Sequence, residues 1–154
     1  MTNMTLQESL ARAASLTLFR CGDMRFNRGT DRDKLVAFLD QQYQPGIDFD
    51  EQSVPGGPIS LVTGNPEEQR LMLEQVGVYI SAHQPEAVLA LFHTTCARIK
   101  QVFVPATLED ETKLIMVKAP VVVEKLQRHF PNVTVCAALA YLEGRHLDRI
   151  EVIG

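Results

Sequence analysis

The sequence predicts a single α/β domain spanning its 154 residues. A mostly parallel β-sheet is flanked by helices on both faces and ends in an antiparallel C-terminal edge strand. Three observations predict it. The apolar strand-like runs are continuous rather than alternating, as strands buried on both faces are. Helical patterns separate them in the order βαβαβαββ. The last two runs are joined by Glu143-Gly144-Arg145, a connection of hairpin length.

In chain order, Leu6, Leu10 and Ala13 stand at helical spacing and predict a short helix over 6–14, the body of an N-terminal arm covering 1–15. A short strand over 16–20 follows. A helix is expected over 31–42, with Leu35, Phe38 and Leu39 on one face and Thr30 or Asp31 as its cap. Residues 49–54 read as a weaker strand, closed by the breaker Pro55-Gly56-Gly57. The stretch 58–63 fits a short strand or a helical turn. Asn65-Pro66-Glu67-Glu68 then has the form of a helix start, with Asn65 as cap, proline in the first turn and Glu68 completing a capping box. That helix is expected to reach Ala82 and to bury Leu73, Val76 and Ile80. Pro85 separates it from the strand at 87–92. Residues 102–111 read as a loop and 111–130 as a helix that Pro120 should start, break or kink. Strands over 133–142 and 146–153 complete the order.

Composition narrows the function. The formal charge of -4 argues against nucleic acid as the main partner, since phosphate binding needs a basic surface. No run approaches the roughly 18 apolar residues of a membrane span. Glu8 and Arg12 interrupt the first fifteen residues, which have no apolar centre of the signal-peptide kind. Three cysteines, Cys21, Cys96 and Cys136, are too few and too odd in number for a disulfide framework. Reduced thiols in a cytoplasmic protein are the simplest expectation.

Two short motifs carry the chemistry. Cys21-Gly22-Asp23-Met24-Arg25 and His93-Thr94-Thr95-Cys96 each follow an apolar strand. In open parallel sheets, functional groups collect where strands reach their carboxyl edge. If the two strands are neighbours, Cys21, His93 and Cys96 converge as three zinc ligands, leaving the fourth position to water or to the Asp23 carboxylate. Arg25, two residues on, is placed to hold Asp23 in a bidentate pair and keep it off the metal. A metal-free hydrolase using Cys96 and His93 would leave the second cysteine and the Asp–Arg pair without a task.

The other polar residues have plainer readings. Cys136 lies inside an apolar run and reads as core. His83 and His129 read as helix-end or surface residues, and His146, beside a turn, shows no partner. Glu109-Asp110-Glu111 reads as solvated surface. Gly56-Gly57 fits either an ordinary turn or a close backbone approach to a ligand. No GxGxxG or P-loop pattern is present.

The paired motifs resemble those of the β-class carbonic anhydrases, a family with C-x-D-x-R after the first sheet strand and H-x-x-C after a later one. The resemblance spans about 16–153 and extends to the order helix, Pro131, strand, Gly144, strand. It implies that Cys21, His93 and Cys96 bind zinc, with Asp23 orienting the metal-bound hydroxide or taking the fourth position and Arg25 holding Asp23. The implied reaction is reversible hydration of CO2 to bicarbonate by attack of zinc hydroxide, in a homodimer or higher homo-oligomer. The alternative is a carbonic-anhydrase-like zinc protein acting on COS or CS2, or not catalytic. Ala97 replaces the glycine that usually follows the second cysteine, and Phe92 the glycine that usually precedes the histidine. Pro55-Gly56-Gly57 stands where the family usually has Ala-Gly-Asn.

Overall fold

Alternate residues of each buried strand face opposite sides of a sheet, so continuous apolar runs need helices above and below. The computed structural model, which describes Ala11 and residues 13–154, has that arrangement. Five strands pair in the order β2-β1-β3-β4-β5. They are β1 (Ser15–Cys21), β2 (Asp48–Val54), β3 (Ala87–His93), β4 (Thr134–Glu143) and β5 (His146–Ile153). β1 pairs in parallel with both β2 and β3, and β3 in parallel with β4. β5 returns antiparallel along β4 through a two-residue connection, Gly144-Arg145, and forms the edge as expected.

One face of the sheet presents Leu16, Leu18, Leu89 and Leu91 to Leu35, Phe38 and Leu39 of α1 (Gly29–Gln42). The other presents Phe19, Val88 and Ala90 to α3 (Pro66–His83) and α5 (Leu108–His129). Burying each such Leu, Ile or Phe contributes about 1.5–3 kcal/mol, so both layers are held chiefly by apolar burial. A 3-10 turn, Gly57–Ile59, runs into α2 (Ser60–Thr63), which resolves 58–63 as helical. α4 (Ala97–Val102) follows Cys96. No helix among the described residues is long and apolar enough to cross a membrane.

Several local expectations change. Of the helix expected over 6–14, residues 6–10 and 12 lie outside the described residues; Ala11 is helical, but 13–14 are not. α1 begins at Gly29, and Arg28 before it makes no capping bond. Asp31 instead accepts the Leu147 N–H at 2.9 Å, tying α1 to β5. Asn65 does cap α3, accepting the Glu68 N–H at 2.8 Å. The return bond of a capping box is absent, because the Glu68 carboxylate takes both its bonds from Arg98 at 3.0 Å. Val76 is fully buried in α3, whereas Leu73 and Ile80 are half-buried.

The loop expected over 102–111 shrinks, since Thr107 caps α5 by accepting the Asp110 N–H at 3.1 Å. Pro120 neither starts nor ends α5. The turns flanking it bury Ile115, Ala119, Val122 and Leu126, and that burial outweighs the roughly 3 kcal/mol a helical proline costs. Glu111, expected as surface, is 2 % exposed. It stands four residues before Ile115 and so belongs to the inward face of α5. His146, expected without a partner, has its Nδ1 3.3 Å from Asp31. His83 is exposed, with Nδ1 2.6 Å from Asp50.

Candidate metal centre

Cys21 is the last residue of β1 and His93 the last of β3, and these strands are adjacent and parallel. Both side chains therefore arrive at one carboxyl edge. Cys96 comes back to them through a tight turn in which Thr95 takes a left-handed conformation, φ 56°. A β-branched residue there costs on the order of 1 kcal/mol, and the turn reverses the chain so that Cys96 closes on His93 before α4 begins. The candidate ligand atoms of Cys21, His93 and Cys96 all lie within 4.8 Å of one another. All three residues are buried, and among the described residues they are the one such group.

The donor set suits a soft, tetrahedral ion. His93 Nδ1 lies 2.7 Å from the Thr94 carbonyl, which can only accept, so Nδ1 carries the proton. Nε2 is then a lone pair, fully buried and without a hydrogen-bond partner. An orphaned buried acceptor facing two thiols is what a bound cation would satisfy. The edge of Phe26 packs against the imidazole, ring centroids 5.7 Å apart, and limits its rotation.

The sulfurs are unequal. The Gly56 N–H donates to Cys21 Sγ at 3.3 Å. Interaction with the Cys96 thiol lowers the Cys21 thiol most; burial opposes it, while the Gly56 N–H assists, and Cys21 falls well below the usual thiol range. Cys96, on the other side of that interaction and buried, is pushed up, although the Ile99 and Arg98 N–H groups of α4 counter this in part. A divalent cation held by both sulfurs would displace the remaining thiol proton.

The approach of Gly56 depends on the next residue. Gly57 has φ +55°, and a Cβ there would stand 2.3 Å from Cys21 N and 2.4 Å from Arg20 C. Only glycine lets the loop after β2 lie on the backbone of Cys21. Both readings of Gly56-Gly57 therefore meet: it is a turn, and it brings an N–H to a candidate ligand.

Asp23 and Arg25 form the expected pair. Arg25 Nε donates to Asp23 Oδ1 at 2.9 Å and Nη2 to Oδ2 at 2.8 Å, while the Arg25 backbone N–H adds a bond to Oδ1 at 2.9 Å. Burial raises the Asp23 carboxyl, but these bonds, with the charge of Arg25, outweigh it and hold the group below the usual carboxylate range. Arg25 is itself anchored, donating to the Gly144 carbonyl at 2.9 Å in the β4–β5 turn. Asp23 does not join the three-residue ligand group.

Three further residues, none of them given a role at the site from the sequence, support the centre. Glu111 accepts the Cys96 N–H at 2.9 Å, tying α5 to the candidate ligand. Thr94 Oγ1 accepts the Leu142 N–H at 2.9 Å, and its own N–H donates to the Ala140 carbonyl at 3.0 Å. Buried Arg20 donates to the Cys21 carbonyl at 2.8 Å, to Asn27 at 2.8 Å and to Glu51 at 2.7 Å. Of these, only Glu111 carried a sequence signal, its place in the 111-115-119-122-126 apolar stripe. Phe92 joins the apolar cluster that also contains Cys21 and Cys96, and Ala97 is exposed at the start of α4.

No family model matches the sequence, and no curated protein matches it. The solved structures do offer relatives in shape. The wild-type β-carbonic anhydrase CafD of the fungus Aspergillus fumigatus superposes with a TM-score of 0.52 at 9% identity, over 82% of this chain and 83% of that one. A cysteine-to-alanine mutant of CafD gives 0.54 at 9% identity, over 89% and 91%. The chain has the β-carbonic anhydrase fold. At this identity the likeness establishes architecture alone.

Proposed function

We propose that this protein is a zinc-dependent lyase that reversibly hydrates CO2 to bicarbonate and a proton. One observation carries the reading: Cys21, His93 and Cys96 converge at the carboxyl edge of a carbonic-anhydrase-like sheet, with His93 Nε2 buried and unpartnered. Bound there, zinc would supply Lewis-acid activation of water near neutral pH. Two thiolates already balance its charge, so the residues around it matter more than at an all-histidine site.

Those residues have distinct tasks in this reading. The Thr94 carbonyl keeps His93 in the tautomer that turns Nε2 inward. The Gly56 N–H stabilises negative charge on Cys21. Arg25 occupies both Asp23 oxygens, holding the carboxylate ionised and away from the ligand position. The remaining lone pairs of the carboxylate are free to accept a hydrogen bond from the attacking water or hydroxide and so orient it. The free thiols suit the reducing cytoplasm.

Elemental analysis of protein purified without chelator or added zinc is the first test, with close to one zinc per chain expected. Stopped-flow CO2 hydration between pH 6.5 and 9 is the second, and a rate no better than buffer would end the proposal. Arg25→Ala should keep zinc and lower the hydration rate by about 100-fold, because Asp23 is then free to move toward the metal. An Arg25→Ala protein unchanged in both respects would point to a non-catalytic zinc site. Sulfide released from COS or CS2 without CO2 hydration would instead move the substrate class.

A further inference from the structure

Among the described residues the longest helix is α5, and it carries a surface that none of its neighbours there buries. Its inner face packs on the sheet, but Met116, Val117, Pro120 and Val121 are all exposed on the other side. Val117 is 66% exposed and Met116 46%. Glu109 and Lys113 flank this patch toward the start of the helix, and Glu124 and Arg128 toward its end, again all exposed. At about 100° per residue the eight fall within an arc of about 140°, opposite the buried face.

Their order is self-complementary. Consider α5 laid antiparallel on a second α5 about a two-fold axis through the 118–119 peptide. Glu109 then faces Arg128, Lys113 faces Glu124, Met116 faces Val121 and Val117 faces Pro120. Every charge meets its opposite and every apolar residue meets another. A two-fold contact uses the same patch on both partners, so it requires this palindromic order; other partners do not.

Within one chain the charges form only exposed i,i+4 pairs, Lys113 with Glu109 at 2.8 Å and Arg128 with Glu124 at 2.5 Å. Such pairs contribute little, and their outer sides remain free. Two acids and two bases cancel, so the face has no net attraction for an anionic bilayer. Pro120 also lines an apolar groove with Val123, Val152 and Ile153, which extends the patch beyond the helix.

We propose that the exposed face of α5 is a self-association surface, on which a second copy of this chain docks antiparallel. The apolar residues form its centre and the Glu109–Arg128 and Lys113–Glu124 pairs its rim. The interface is independent of whether the Cys21–His93–Cys96 centre binds zinc.

Sedimentation equilibrium of the full chain tests it, and a reversible dimer is expected. Val117→Glu places an acid in the apolar centre, twice by symmetry, and should weaken the dimer by about a hundredfold or more. Lys113→Glu and Glu124→Lys should each weaken it roughly tenfold, and the double variant should recover most of that loss. Each single variant breaks one intrahelical pair, Lys113–Glu109 or Glu124–Arg128, and the double breaks both, so recovery reports contact between copies. Circular dichroism confirms that these surface variants fold. A wild-type monomer up to about 100 µM, well above the micromolar range in which such contacts assemble, would overturn the proposal. So would a dimer indifferent to Val117→Glu, or a double variant as weak as the weaker single one.

Discussion

Cys136 lies in the middle of β4, on the face of the sheet covered by α1, whereas Cys21 and Cys96 lie at the carboxyl edge. All three thiols are buried. Around Cys136 the polar atoms are mutually satisfied: Sγ sits 3.0 Å from the Tyr43 hydroxyl and donates to the Val88 carbonyl at 3.4 Å. Burial pushes this thiol up to about 11, despite a hydrogen bond with Tyr43 that acts the other way. At the edge the balance is reversed. Two sulfurs and an imidazole converge, the imidazole nitrogen has no partner, and a peptide N–H is aimed at one sulfur. Burial alone does not mark a cysteine for chemistry; convergence of unsatisfied acceptors does.

The largest test of that contrast removes a thiol from each place. Cys21→Ser, Cys96→Ser or His93→Ala should lower zinc affinity about a thousandfold or more, read by competition with a chromophoric chelator. Cys136→Ser should leave the affinity within about threefold of wild type, a difference too small for a lost ligand. Equal losses at all four positions would erase the distinction.

Glycines sharpen it next. Gly57→Ala drives a methyl into the Cys21 and Arg20 backbone and should destabilise by about 4 kcal/mol, while lowering zinc retention. Gly46 lies near Tyr43 and also has positive φ, at +73°, but nothing stands within 4 Å of its would-be Cβ. Gly46→Ala should therefore cost only the conformational strain, about 1–2 kcal/mol in urea unfolding, with zinc unaffected.

Titration separates the regions by smaller amounts. The folded Asp23 carboxyl lies below its unfolded value, so its contribution is complete above about pH 4 and is lost as the pH falls through the lower folded value. The Cys136 thiol is raised, so its contribution is complete below the unfolded value, near pH 9, and is lost as the pH rises toward about 11. Tyr43, raised chiefly by burial, adds to the alkaline loss. Arg25→Ala should flatten the acid limb of a stability–pH curve and Cys136→Ala the alkaline one; exchanged effects would contradict both assignments.

The candidate site was more legible than its surroundings. Cys21, Asp23, Arg25, His93 and Cys96 stand in short segments directly after apolar runs, where chain order alone limits where they can go. Asn65 before Pro66 was equally clear, because capping is local. Glu68 and Asp31 were misread for the opposite reason. Each is a good local capping residue, and each found a partner, Arg98 or the Leu147 N–H, about 30 or more than 100 residues away. α4 was missed because a six-residue helix carries too little periodicity to register, and Pro120 misled because its local cost was set against burial that only packing supplies.

By itself, the sequence determined the α/β class, the parallel order with a terminal hairpin, and the two motifs at strand ends. All of these follow from periodicity and spacing within short windows. Only the tertiary structure decided that β1 and β3 are neighbours, which turns two separate motifs into one centre. It alone placed Gly56 on Cys21, Glu111 on Cys96 and Gly144 on Arg25. These contacts join residues far apart in the chain, and their energies depend on desolvation and close approach, which arise only once the layers have packed.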